Sequence, residues 1–274
     1  MLDRARNTAY TSYMSTMTII LHSSKTMKSQ STPGLRAPRL IDKARVLRDY
    51  VMGLSESAIA TAMHVSPTLA HQTHELFMGW SDSEDVSVAI DSFRGDIYSG
   101  LRASEFDDDD RLYADEHLRI LSGLYGVLRP LDGIAPYRLE PAYRFADEPY
   151  RNIYTYWGDR IAKLLPAVGP IVNVSSVEYM KLITPYIDAS RIITPRFMTV
   201  HPKTSVPTFV AVHAKIARGA YARWMIQERI EDVDRLTEFR DLGYHHVPSG
   251  STPDSPLFVC NSFEGLGLSV RLKE

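Results

Sequence analysis

Leu118-Arg119-Ile120-Leu121-Ser122-Gly123-Leu124-Tyr125-Gly126-Val127-Leu128-Arg129-Pro130-Leu131-Asp132, running on to Pro136-Tyr137-Arg138-Leu139-Glu140, is the stretch whose reading decides the fold. Glycines, prolines and arginines are set here among leucines and aromatics, which suits neither an ordinary amphipathic helix nor a polar surface loop. Gly123 and Gly126 permit positive φ or close backbone approach, and Pro130 pushes Arg129 toward an extended conformation. The expectation is a helix ending near Ser122, a tight apolar hairpin, and an extended exit carrying arginines. A sharply turned backbone beside Arg119, Arg129 and Arg138 suits an anion such as phosphate, because free amides and guanidinium forks both donate to its oxygens. The alternative is a Gly/Pro-punctuated turn with solvated arginines.

Outward from this stretch, the chain reads as α/β. Met17 to His22 is a short β-branched run, a buried first strand that delivers Ser23, Ser24, Lys25 and Thr26 at its C-terminal mouth, where open α/β sheets hold ligands. Residues 28–40 form a Ser/Pro/Gly-rich loop able to fold over that mouth. Apolar spacing predicts a helix from Ile41, a second starting at Ser55 and a third opened by Ser66-Pro67, which carries His71 and His74. Asp107 to Asp110 precede another helix, where carboxylates favour the positive end of the dipole. Tyr154 to Leu165 reads as a helix with Trp157 inward. Pro170 to Val174 is the clearest central strand, and it too ends in serines (Ser175, Ser176) followed by Glu178, Tyr179 and Lys181. Residues 191–200 and 205–213 are β-rich. Ala214 to Ile230 is a helix with Ile216, Ala220 and Trp224 on one stripe. Lys215, Arg218, Gly219 and Ala222 lie opposite, small residues between cations that leave room for a bulky anion. A closing strand lies around Pro256 to Val259.

The totals bound the function. The chain has 274 residues, 44% hydrophobic and 23% charged, enough for a substantial core and against disorder over most of the length. A formal net charge of −2 gives no global basic field, so nucleic-acid binding requires a local patch. The single cysteine, Cys260, makes no internal disulfide and fits a reducing cytosol. It reads either as an inert buried side chain or as a redox-sensing thiol. No run approaches the roughly 20 apolar residues that span a bilayer. Residues 1–16 are polar and read as an extension, with Met17 as an alternative start; residues 17–274 are expected to form one domain. Walker, zincin, nucleophile-elbow and Rossmann motifs are absent from the sequence, and no metal ligand set or cofactor is expected. The remaining constellation is Lys25, Lys181, Lys215, Arg94, Arg119, Arg129, Arg138 and Arg218 with Asp96, Asp132 and Glu178, a mixture suited to a phosphate-binding cleft.

Seven segments in order resemble the YaaA family of peroxide-stress proteins: His22 to Thr26, Phe93 to Leu101, Leu121 to Asp132, Pro136 to Glu140, Tyr156 to Asp159, Asn173 to Tyr179 and Ala214 to Gly219. The resemblance runs from about Met17 to Val259. It implies a cytoplasmic protein that limits oxidative DNA damage in hydrogen peroxide stress by lowering unincorporated intracellular iron. It also implies an α/β fold of mixed sheets and flanking helices, with a positively charged cleft and a helix-hairpin-helix-like element binding double-stranded DNA. Carried onto this chain, that element spans residues 91–132 with Gly123 and Gly126 at its hairpin, though Gly-Leu-Tyr-Gly is one residue longer than the usual Gly-x-Gly. The expected DNA- or anion-binding set is Lys25, Thr26, Arg94, Arg119, Gly123, Gly126, Arg129, Arg138, Lys181, Lys215 and Arg218. At the first mouth the family's usual Ser-Pro-Ala-Lys-Thr is replaced by His-Ser-Ser-Lys-Thr. That change keeps a second expectation open, an enzyme acting on a nucleotide-like or other anionic small molecule. Lys25 or Lys181 is then nucleophile or base, and His22, Asp96 or Glu178 serves in proton transfer.

Overall fold

A computed structural model describes residues 17–28, 33–82 and 86–264; the expected extension 1–16 lies outside the described residues. Its centre is a five-stranded sheet built from β1 (Thr18–His22), β2 (Leu118–Ser122), β3 (Gly126–Leu128), β4 (Ile171–Asn173) and β5 (Ile192–Ile193). The spatial order is β3-β2-β1-β4-β5, with β2, β1, β4 and β5 parallel and β3 an antiparallel edge. Thr18 to Leu21, Leu118, Ile120, Leu121, Ile171 and Val172 are all buried, the near-continuous apolar pattern of a sheet covered on both faces. The chain leaves β1 for β2 on one side and returns to β4 on the other. The order therefore reverses at β1, and the crevice outside the carboxyl ends of β1 and β4 is where such sheets bind ligands.

A second sheet orders β7-β6-β9-β8, from β6 (Arg196–Val200), β7 (Pro207–Thr208), β8 (Tyr244–His246) and β9 (Leu257–Cys260). The helices are α1 (Ile41–Met52), α2 (Glu56–Met63), α3 (Pro67–Met78), α4 (Asp96–Leu101), α5 (Asp108–His117), α6 (Val177–Met180) and α7 (Ala211–Gln227), with shorter turns between. Their starts follow sequence chemistry. The hydroxyls of Ser55 and Ser66 accept the amides of Ala58 and Leu69, and the Asp107 carboxylate accepts that of Asp110. One face of α7 meets the aromatic core of the second sheet, where Phe197, Tyr221, Phe239, Tyr244 and Phe258 pack edge to face and stacked. Another face meets α4, and at that crossing no side chain fits. A Cβ on Gly100 would lie 2.0 Å from the Ile216 carbonyl oxygen, and one on Gly219 would lie 1.8 Å from that of Ile97.

Several expectations change here. The helix expected to end near Ser122 stops at His117, and Leu118–Ser122 is a strand. The helix expected over 154–165 is the short turn Ile153–Trp157 followed by a separate 3-10 turn at Ala162–Leu164, because Gly158 takes φ +52° between them. Of residues 205–213 only Pro207–Thr208 is strand, and Ala211 already opens α7. Gly219 and Ala222 do not leave a notch for an anion: both are buried, and Gly219 is filled by the backbone of α4.

Candidate functional site

The mouth at the sheet's reversal point is built where the ends of β1, β2 and β4 meet α4, α6 and the segment 137–140. His22 closes β1, and its Nδ1 accepts from the Ser176 amide at 3.3 Å and lies 3.2 Å from Ser175 Oγ, which fixes its proton on Nε2. Burial and the nearby positive charges of Arg218 and Lys215 lower its pKa to about 3, so at neutral pH the ring is an uncharged Nε2–H donor. Its carbonyl accepts from the Tyr98 hydroxyl of α4 at 2.9 Å, and its ring lies against that of Tyr179. Ser23 Oγ donates to Tyr179 OH at 3.1 Å, and on the neighbouring strand Ser122 Oγ and Tyr137 OH share a 2.6 Å hydrogen bond. Ser23, Ser122, Tyr137, Tyr179 and Glu140 are all buried, which makes a polar floor under the strand ends.

Cations reach this floor from two directions. Lys25 follows β1 directly, its Nζ 4.0 Å from Glu140, and Arg138 donates to the Lys25 carbonyl at 3.4 Å. The Arg138 Nε is buried without a hydrogen-bond partner, a cost that a bound acceptor would relieve. From α7, Lys215 lies 3.8 Å from Asp96 at the start of α4, and Arg218 is half-buried, with burial lowering its pKa. The α4–α7 crossing holds this second flank, since Asp96 and Lys215 sit beside the backbone contacts of Gly100 and Gly219. Thr26 pairs with Arg94 in a two-residue antiparallel ribbon, Thr26–Met27 against Phe93–Arg94, beside the mouth. Glu178 accepts the Ala142 amide at 3.3 Å.

The other expected residues are elsewhere. Lys181 is exposed after α6, and no described ion pair or side-chain hydrogen bond ties it to the mouth. Arg119 and Arg129 sit at the opposite end of the sheet. Arg119 is at the start of β2, where its Nη1 donates to the carbonyls of Asp115 and Leu118. Arg129 bonds Asp132, which is 1% exposed and also paired with Arg36, while Arg36 binds Asp115 as well. That cluster neutralises its carboxylates internally and ties residues 33–36 to residues 129–134. Gly123 and Gly126 form a turn between strands β2 and β3, not a hairpin between two helices. Both are buried: a Cβ on Gly123 would lie 2.2 Å from the Leu139 carbonyl oxygen, and Trp157 Nε1 donates to the Gly123 carbonyl at 2.9 Å. The amides of this turn do not face an external phosphate.

The sequence places Ser23 at the mouth and Tyr179 after the second strand's serines, but does not point to Tyr137 or Glu140 as mouth residues. The burial of Glu140 is not legible in the sequence, because it depends on the Leu139 backbone packing against Gly123. Burial raises the Glu140 pKa, opposed by Lys25. Cys260 is buried in β9, and burial raises its thiol pKa. Among the described residues, no three His, Cys, Asp or Glu side chains are grouped to hold a metal ion.

Comparison with known proteins bears on this geometry. A family model described as "Peroxide stress protein YaaA" matches residues 17–249. The chain belongs to the peroxide stress protein YaaA family. Within it, the chain is 51% identical over 258 residues to a UPF0246 protein of Salinispora tropica, covering 93% of this chain and 98% of that one. It is 41% identical over 231 residues to a UPF0246 protein of Roseobacter denitrificans, covering 81% and 89%. A UPF0246 protein of Burkholderia mallei is 36% identical over 256 residues, covering 88% and 98%. The family match contains every segment of the mouth, from β1 through Glu140 and α6 to Lys215 and Arg218. Among the described residues, no helix is long and apolar enough to cross a membrane.

Proposed function

We propose that this protein acts in the cytoplasmic peroxide-stress response by holding the phosphates of double-stranded DNA at the mouth, limiting oxidative damage alongside a lowering of free intracellular iron. The observation that carries the phosphate reading is the gathering of Lys25, Arg138, Lys215 and Arg218 around the neutral donor His22 at the carboxyl ends of β1 and β4. Backbone binding of this kind neutralises phosphates with cations and releases counterions, so affinity falls steeply as salt rises. Fluorescence anisotropy with a labelled duplex, followed against sodium chloride, tests it. Lys215→Ala weakens binding for all sequences alike and reduces the logarithmic salt slope by about one. Arg129→Ala, whose guanidinium is held by Asp132, leaves both unchanged. Salt-insensitive binding, no binding, or equal effects of the two substitutions refutes the reading. The iron arm is tested by measuring chelatable iron in peroxide-treated cells carrying either variant; iron that stays low in Lys215→Ala cells separates iron control from the mouth.

A second reading, an enzyme acting on an anionic small molecule, draws on one feature a simple binder does not need. That feature is the buried Glu140 carboxylate, set beside Lys25 over a floor of buried hydroxyls.

A further inference from the structure

Burying a carboxylate is costly unless it is fully paired, and Glu140 is not. It is 6% exposed, yet its cation, Lys25, is half in solvent and 4.0 Å away, too far for a hydrogen bond. A glutamine would fill the same volume and hydrogen-bond the Tyr179 hydroxyl equally well, so packing does not call for an ionisable group here. The groups facing Glu140 are Lys25 from the exit of β1, Arg138, Tyr137 and Tyr143 from its own segment, and Glu178 and Tyr179 from α6. Lys25, Arg138 and the Tyr179 hydroxyl favour its charged form, burial and Glu178 oppose it, and an anion arriving between Lys25 and Arg138 competes with Glu140 for both cations. The competition ends when Glu140 takes a proton and becomes a donor.

This arrangement selects among phosphates. A backbone diester has two non-bridging oxygens of low basicity and a sugar on either side. A terminal monoester has three, carries a second negative charge above a pKa of about 6, and has a single substituent to leave toward solvent. The mouth offers donors from three directions: Lys25 and Arg138 on one flank, Lys215 and Arg218 on the other, and the His22–Ser23 floor beneath. Resting on the reading that the mouth takes phosphate, we propose that its ligand is a terminal phosphate monoester, a nucleotide or a phosphorylated strand end, with protonated Glu140 donating to one non-bridging oxygen. No covalent bond forms or breaks; in each molecule whose Glu140 is ionised before binding, one proton is taken from solvent onto that carboxylate as the dianion binds, so the average uptake is a fraction of a proton.

Isothermal titration calorimetry of the full chain with 5′-AMP at pH 7, in buffers of different ionisation enthalpy, reads this directly. Wild-type protein takes up a fraction of a proton per ligand bound, and adenosine does not bind. Glu140→Gln still binds 5′-AMP but takes up none, releasing instead the roughly 0.1 proton carried by the monoanionic fraction of the ligand at pH 7. Binding of 5′-AMP without proton uptake by the wild type, or uptake unchanged in Glu140→Gln, overturns the proposal; the wild-type buffer series decides even if the variant folds poorly. Anisotropy with one short duplex, with and without 5′-phosphates, separates the two sources. A preference of about five-fold for the phosphorylated ends, about 1 kcal/mol by the standard conversion, supports strand ends, and 5′-AMP binding without that preference supports the nucleotide. Equal salt-sensitive binding of both duplexes with no 5′-AMP binding overturns the terminal-phosphate proposal and leaves the backbone reading standing. Failure of every probe removes both.

Discussion

The depressed pKa of His22 makes a measurable stability term. In the unfolded chain its imidazole titrates at its ordinary 6.5, whereas in the folded mouth it titrates at about 3. The neutral form is therefore favoured by folding. Above pH 6.5 there is no penalty; as pH falls from 6.5 toward 3 the unfolded chain binds a proton that the folded chain refuses, and stability is lost. For a ring sealed from water the loss between pH 7.5 and pH 5 is about 2 kcal/mol. The ring is half-buried at the rim, where solvent screens part of the effect, so about 1–2 kcal/mol is expected.

His22→Asn isolates this term. Its side-chain oxygen can accept the Ser176 amide in place of Nδ1, and it does not titrate. Urea unfolding at pH 7.5, 6, 5 and 4.5, followed by tryptophan fluorescence, gives a free energy at each pH for both proteins. The difference between wild type and variant should shift in the variant's favour by about 1–2 kcal/mol between pH 7.5 and 5. Parallel pH curves would mean that His22 titrates normally in the fold. That result would mean that Nδ1 is not committed to accepting from the Ser176 amide, and the ring orientation that aims Nε2–H into the mouth would lose its support.

Other consequences follow from the packing. Gly219→Ala forces a Cβ into the Ile97 carbonyl and should destabilise by about 2–3 kcal/mol in thermal or urea unfolding, while moving Lys215 and weakening anion binding. Asp132→Ala strips the carboxylate that Arg36 and Arg129 share and that accepts the Arg129 amide; a loss of about 2–4 kcal/mol is expected, with duplex affinity per folded molecule unchanged. Cys260 should stay reduced in the native protein under hydrogen peroxide and label with a thiol reagent only on unfolding, which mass spectrometry checks; rapid native oxidation would show that β9 opens.

What the sequence made legible and what it hid divide along a physical line. β1 and β4 were readable because buried parallel strands need unbroken apolar runs, and the serines after each run mark the ends where the backbone reaches the surface. Their meeting around His22 follows from topology, since β1 has β2 on one side and β4 on the other. The arginines were harder. Arg119 and Arg129 looked like partners of Lys25 because side-chain type says nothing of sheet direction. Once β2 is parallel to β1, however, a residue at the start of β2 lies at the far end from the exit of β1, and β3, running back, carries Arg129 to the same far end. Small residues misled in the same way. A Gly between cations marks a close approach, and only the crossing with α4 shows that the approaching group is a helix backbone rather than an anion. The cations that remain at the mouth are Lys25 at the exit of β1, Arg138 on the irregular segment beside it, and Lys215 and Arg218 on α7. Strand direction separates Lys25 from Arg119 once Leu118–Ser122 is known to be a strand parallel to β1, whereas Lys215 and Arg218 are placed only by the packing of α7.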